Sequence, residues 1–352
     1  MSKLYLESGY LNVEYIVNNP AVYSFICGGR GTGKTFGFLR YAIDQGKKFI
    51  FLRRTQTQVD LIKSDDMNPF RALESTLGDD YTFVMKKLNK NITGVYRAVF
   101  YPEKQVNAPE GPVLGYIMAL STVSNIRGFD ASDCEILIYD EFIGEKHERP
   151  IQSEGTAFLN AIETIARNRE LQGKDPLKVF CLSNANDLVN PIFIELKLVQ
   201  IVEKMLQKGT EYSYFPERSL SIYLLKESPI SSKKAQTSLY KLVGASSEFL
   251  KMAIDNDFAE EQRDLIKPQN LQHYKPVCTV GEITIYKHKS DRIYYVSEHQ
   301  SGTPKQYESS DMDLKRWSRD YYYLWLSYLN RKIIFESYIN QVLFEKYFNI
   351  RK

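Results

Sequence analysis

Eight consecutive residues, Gly28-Gly29-Arg30-Gly31-Thr32-Gly33-Lys34-Thr35, have the types and spacing needed to hold a polyphosphate. They fit a phosphate-loop pattern: a glycine, four residues, then Gly-Lys-Thr. Glycines adopt positive φ and leave room for an anion against the backbone. The N–H groups of such a loop, and of the helix start after it, then point at the phosphates. Lys34 is placed to reach the β and γ oxygens, and the Thr35 hydroxyl to ligate Mg²⁺. Gly28, Gly29, Gly31, Thr32 and Gly33 complete the cradle, with Arg30 turned to the γ-phosphate or to a neighbouring chain. The expected ligands are ATP and Mg²⁺.

A phosphate loop needs a second half, and Glu135-Ile136-Leu137-Ile138-Tyr139-Asp140-Glu141 supplies one. An apolar strand carries Asp140 out at its carboxyl end, where ligands of open α/β sheets bind. Asp140 would hold Mg²⁺ through water, and Glu141 would orient and polarise the water that attacks the γ-phosphate. The next apolar run ends in Ser183-Asn184. In P-loop ATPases with an additional catalytic glutamate, a strand inserted between the two nucleotide-binding strands ends in a polar residue that senses the γ-phosphate, and Ser183 and Asn184 fit that place. On a helix through Phe158, Ile162 and Ile165, Arg167 lies opposite the apolar face. There it is either an ordinary solvated arginine or one that reaches a neighbouring subunit's nucleotide.

The elements that position these residues alternate. Tyr23–Cys27, Phe49–Leu52, Val113–Leu120, Cys134–Tyr139 and Lys178–Leu182 read as strands, and Phe36–Asp44, Thr55–Met67 and Ser153–Glu170 as helices, with Ser153 as N-cap. Tyr81–Lys90 and Val95–Tyr101 look like a hairpin. This alternation predicts an α/β fold with a mostly parallel sheet covered on both faces. After Leu225 the pattern changes: a basic helical stretch Ser231–Asp257, tyrosine-rich strands over Pro268–Ser297, and helices over Leu314–Leu329 and Lys332–Phe348. The expected domains are 1–230, a helical connector 231–261, and a small α+β domain 262–352.

Composition narrows the class. At 352 residues, 43% hydrophobic and 13% aromatic, the chain is globular, not disordered. Cys27, Cys134, Cys181 and Cys278 have no paired spacing and read as core thiols of a reducing compartment. No secretory leader or run of about eighteen apolar residues is present, so the expectation is a soluble, intracellular protein with no membrane contact. A net charge of +3 is too small to argue for nucleic acid by itself.

Taken together, Gly-Gly-Arg-Gly-Thr-Gly-Lys-Thr, Phe-Leu-Arg-Arg, Tyr-Asp-Glu-Phe-Ile, Arg-Asn-Arg-Glu and Cys-Leu-Ser-Asn-Ala…Asn-Pro resemble the DNA-packaging ATPases of φ29-like phages. The likeness is specific over Ser24–Pro191. It implies a RecA/terminase-like ATPase core in a homo-oligomeric ring, thought to be pentameric, that sits on the portal of a capsid in the host cytoplasm. There it would pump double-stranded DNA inward by ATP hydrolysis, with a structural RNA bridging to the portal in some relatives. The resemblance makes Arg167 the arginine finger that acts in trans, Arg127 a DNA-facing residue of the pore, and Arg53 a subunit-contact arginine. It also implies that the C-terminal domain is a vestigial RNase H-like nuclease. Glu282, Asp291 and Glu298 are too few and too scattered for a two-metal site, so no nuclease activity is expected. Basic clusters at Lys287-His288-Lys289, Lys315-Arg316 and Arg331-Lys332 would grip phosphates or the portal, or form a solvated surface. The alternatives are a helicase or recombinase-like ATPase on single strands, a small-molecule kinase, and a structural protein with a silent ATP site. Glu141 argues against the kinase.

Overall fold

Ser24 to Gly28 are all buried, as a strand covered on both faces requires. They belong to β1 (Tyr23–Gly28), an interior strand of the larger of two sheets in a computed structural model. The structure describes residues 4–62, 68–78, 81–102, 106–126, 128–144, 148, 151–184, 190–225, 265–302 and 304–349. The chain divides into two compact units, Met1–Ala259 and Glu260–Lys352. The expected helical connector 231–261 lies outside the described residues.

Among the described residues of the first unit, nine strands form one sheet in the order β3-β4-β5-β2-β6-β7-β1-β9-β8. These are β2 (Phe49–Arg53), β3 (Thr82–Lys87), β4 (Ile92–Tyr101), β5 (Val106–Ala119), β6 (Ile136–Asp140), β7 (Lys178–Ser183), β8 (Tyr212–Phe215) and β9 (Leu220–Leu225). The six central strands run parallel, while β3, β4 and β8 pair antiparallel towards the two edges. Strand β7 lies between β6 and β1, pairing Leu182 with Asp140 and Ser183 with Cys27.

Alternation along the strands builds two cores. Ile26, Ile136 and Ile138 pack with Phe38, Leu39 and Ala42 of helix α2 (Lys34–Asp44). On the opposite face Phe25 and Tyr139 meet Phe158 of the helix Glu154–Ala166, with Tyr139 stacked on Phe158 at 5.6 Å. That second helix ends earlier than its apolar period suggests. Arg167 and Asn168 both take the left-handed conformation, at φ 43° and 56°, so Arg167 is the C-cap and not a residue of the helix face. Ser153 occupies the N-cap position, but at φ 50° its side chain makes no capping bond.

One buried charge cluster ties this layer together. Arg54, just past β2, is 4% exposed and gives two hydrogen bonds to Glu154, Nε to Oε1 at 2.7 Å and a terminal nitrogen to Oε2 at 3.0 Å. Glu148 also accepts from Arg54.

In the second unit, β10 (Tyr274–Val280), β11 (Ile283–His288), β12 (Tyr294–Ser297), β13 (Lys305–Tyr307) and β14 (Ile333–Phe335) form a sheet in the order β13-β10-β11-β12-β14. Within the tyrosine-rich stretch Pro268–Ser297, β10 and β11 form a hairpin turned at Gly281-Glu282, where Gly281 has φ 51°. The expected helix Lys332–Phe348 is split likewise: Ile333–Phe335 extends β12 as a parallel edge, and the helix starts at Tyr338. Leu314–Leu329 is broken at Tyr321 into two helices, Asp311–Asp320 and Tyr322–Leu329. Trp317, Phe344 and Phe348 anchor this unit's core.

Replacing Arg54 by Ala would strand Glu154, 2% exposed, as an unpaired buried charge. The first unit should lose about 3–5 kcal/mol, read as a lowered denaturation midpoint; an unchanged midpoint would contradict the pairing.

Candidate functional site

The loop leaving β1 is shaped by its glycines. Gly31 and Gly33 sit at φ 70° and 81°, and Gly33 is the N-cap of α2. A Cβ at Gly28 would fall 2.5 Å from Leu225 Cβ on the neighbouring strand, so only glycine fits there. Lys34 is 8% exposed, and its ammonium donates to the Gly28 and Gly29 carbonyls at 2.9 and 2.8 Å and to Thr32 Oγ1 at 3.3 Å. Thr32 is buried and donates to Gly29 O at 3.2 Å, while Arg30 is exposed. Burial pushes the Cys27 thiol up to about 12, an effect only partly offset by the Lys34 ammonium, so the thiol at the end of β1 is neutral.

The acids meet this loop. Thr35 Oγ1 donates to Asp140 Oδ1 at 2.9 Å, joining the first turn of α2 to the end of β6. Asp140 is 6% exposed, whereas the Glu141 side chain is 46% exposed and its backbone is left-handed at φ 54°. A non-glycine residue held there stores strain of order 1–3 kcal/mol and turns the carboxylate away from the strand direction.

Within the chain, the Arg53 guanidinium lies between the two acids, donating to Asp140 Oδ2 at 2.7 Å and Glu141 Oε2 at 2.5 Å. The side chain is 15% exposed. Position at the carboxyl end of β2, beside β6, was the signal that would have found it.

Ser183 ends β7 between loop and acids. It is 2% exposed, and its Oγ has no partner within the protein. A buried hydroxyl without a partner costs about 1–3 kcal/mol, a cost that a ligand oxygen would relieve. Ser183 and Asn184 line a cavity of about 200 Å³ with Gly31, Lys34, Thr35 and the two acids. An ammonium, a helix start, a hydroxyl beside a carboxylate and an orphan hydroxyl together fit a Mg²⁺-bound polyphosphate.

Arg167 stands elsewhere. The helix Glu154–Ala166 begins beside Arg54, at the carboxyl edge of the strands, and its 13 residues carry the chain about 20 Å back. Arg167 is 34% exposed, with a guanidinium nitrogen 3.7 Å from Asp130 Oδ1. Arg169, which the sequence reading passed over, is the buried arginine of this turn, donating to the Cys134 carbonyl just before β6. Arg167 is thus at the amino edge of the sheet, remote from Lys34 and Asp140 of the same chain. Arg127 lies outside the described residues. Within those described, no three His, Cys, Asp or Glu side chains form a group able to hold a metal ion, and no helix is long and apolar enough to cross a membrane.

A largely parallel sheet, a glycine loop leaving one strand, acids closing another and a third strand between them define an α/β protein of the P-loop type. Residues 6–314 match the family described as podovirus DNA encapsidation protein (Gp16). The DNA packaging protein of Bacillus phage phi29 is 24% identical over 269 residues, covering 75% of this chain and 70% of the relative. That of Bacillus phage B103 is 22% identical over 308 residues, covering 84% and 83%. In fold, the chain is similar to one in the bacteriophage Phi-29 viral genome packaging motor assembly, with a TM-score of 0.67, 18% identity, and 97% and 99% of the two chains covered. The chain belongs to the podovirus DNA encapsidation protein family, whose work is the packaging of viral DNA.

Lys34→Ala would remove the one ammonium inside the loop. Mg²⁺–ATP binding measured by calorimetry should fall at least about a hundredfold, the scale of a lost charge-assisted contact; retained affinity would rule out this loop as the phosphate site.

Proposed function

We propose that this protein is an ATP-driven motor that translocates viral double-stranded DNA into a preformed capsid as part of a homo-oligomeric ring. The observation that carries the reading is the meeting of Thr35, Asp140 and Glu141 at one sheet edge while Arg167 stands at the other. Lys34 and the loop N–H groups would bind the triphosphate of ATP, and Thr35 and Asp140 would hold Mg²⁺, which supplies charge neutralisation on the β and γ oxygens. Glu141 would take the proton of the attacking water. Its ion pair with Arg53 has to open first, because a carboxylate oxygen committed to a guanidinium is a poor base. Ser183 and Asn184 would sense the γ-phosphate.

The separation of Arg167 from its own loop supports action in trans. A guanidinium on the amino edge reaches a γ-phosphate only in another copy of the chain, which is the arginine-finger arrangement. In this reading the double-stranded DNA contacts, Arg127 among them, go to phosphates with little base readout, because a pump must pass any sequence. The portal, a structural RNA and a ring of five remain part of the proposal through family likeness alone. The C-terminal unit takes no part in cleavage.

Glu141→Gln should bind ATP normally and turn it over about 10²–10⁴-fold more slowly. Mixing Glu141→Gln with Arg167→Ala chains should restore part of the turnover, since some interfaces then pair an intact glutamate with an intact arginine. No restoration would place the arginine's action within one chain. Double-stranded DNA should stimulate hydrolysis more than single-stranded DNA of equal length, with stimulation declining as salt rises; strand displacement would instead favour a helicase.

A further inference from the structure

No acid occurs between Tyr81 and Pro102, a stretch that carries Lys86, Lys87, Lys90 and Arg97. The chain as a whole is nearly balanced, with 46 basic residues against 43 acidic, so this is a local excess. Folding gathers three of its four cations at one point. Strands β3 and β4 pair antiparallel, with Lys86 opposite Gly94 and Lys87 opposite Thr93, and residues 88–91 turn between them. Residues 86–90 are all exposed. The turn is held by the backbone: the Leu88 and Asn89 N–H groups both donate to Ile92 O, at 3.0 and 3.3 Å, and Asn91 N–H donates to Asn89 Oδ1 at 2.8 Å. A turn closed in this way presents its lysines from a fixed backbone, so that only side-chain freedom is lost when they bind.

Among the described residues, none of these three lysines forms an ion pair. Lys47 and Lys48, at the opposite edge of the same sheet, differ: they pair with Glu135 and Asp133, each at 2.5 Å. Lys86 and Lys87 leave opposite faces of β3, and Lys90 stands in the turn, so the ammonium groups surround the end of the hairpin. Strand β3 is at the edge of the nine-stranded sheet, and lysines on an edge strand discourage pairing with another chain. That accounts for Lys86 and Lys87 but not for Lys90, which lies beyond the last ladder pair of β3 and β4. An unneutralised cationic tip complements a polyanion.

The position of the tip says which polyanion. Ile92, the first residue of β4, pairs with Met118, one position before the end of β5. The hairpin therefore turns at the carboxyl edge of the sheet, where β5 passes directly into the short 3-10 helix Leu120–Ile126 and then, in sequence, Arg127. Seven residues of such a helix extend about 14 Å. Duplex DNA carries one phosphate per roughly 1.7 Å of its axis, so about eight fall within that length. We propose that the β3–β4 hairpin tip is a second contact to duplex DNA, with Lys86, Lys87 and Lys90 binding backbone phosphates beside those met by Arg127. This contact rests on the motor reading given above, which assigns Arg127 to DNA. Ammonium groups on flexible stems hold phosphates without reading bases, as a moving duplex requires.

The test uses the full chain, with the affinity for a labelled mixed-sequence duplex followed by fluorescence anisotropy over a range of salt and ATP affinity followed by calorimetry. Lys90→Gln should make the slope of log affinity against log salt shallower by about 0.9 per chain bound, and Lys86→Gln, Lys87→Gln and Lys90→Gln together by about 2.7. ATP affinity should not change. Arginine at all three positions should keep the parent slope. Glutamate at all three leaves the edge strand charged and protected from pairing, yet should bind the duplex more weakly than the glutamine variant. A slope unchanged in the glutamine and glutamate variants overturns the proposal and leaves the lysines as protection for an edge strand. Loss of binding to a labelled hairpin RNA, with duplex binding intact, overturns it too. A parent chain that does not bind duplex DNA removes both this contact and the motor reading; parent binding that the variants share removes the contact alone.

Discussion

The hydrogen bond between Thr35 and Asp140 joins residues 105 positions apart and sets the geometry of everything around it. It exists because β1 and β6 are parallel and separated by only one strand, β7, so that their carboxyl ends face the same side. At that shared edge the Lys34 ammonium is held by carbonyls of its own loop, while the acid pair takes its counter-charge from Arg53.

Strand β2 carries that logic outward. Arg53 and Arg54 are adjacent, and because successive side chains of an extended chain point to opposite sides, they serve different partners. Arg53 neutralises Asp140 and Glu141; Arg54 is buried against Glu154 at the start of the helix that ends in Arg167. The same dipeptide therefore touches the nucleotide edge and the helix that spans to the opposite edge. Buried charges are expensive unless paired, and here each pairing also fixes an element that presents a functional residue.

Local strain recurs at some of these places. Glu141, Arg167 and Asn168 hold left-handed backbone without being glycine. Such conformations persist only where surrounding packing over-determines them. At Glu141 the strained backbone accompanies a carboxylate that pairs with Arg53 and lines the cavity beside the loop. At Arg167 it ends the helix and lets the arginine stand out while Arg169 is drawn in to the Cys134 carbonyl.

Much of this was legible in the residues alone. The glycine loop, the apolar strand before Asp140 and the run ending in Ser183 are local patterns, each set by steric and hydrophobic requirements that act within a few residues, and each element formed close to where its pattern predicts. The alternation of strands and helices was enough to require a parallel sheet. Tertiary structure decided what depends on pairing across distance. Arg53 reads as a subunit-contact arginine by resemblance, and its pairing with the acids appears only once β2 is seen to lie against β6; Ile333–Phe335 reads as helix until β12 offers it an edge. The two arginines of Arg-Asn-Arg-Glu are chemically alike in sequence, and only the turn that follows the helix determines which is buried. Sequence specifies what a residue is able to do; long-range strand order, through the burial and charge pairing it imposes, specifies which of those capabilities is used.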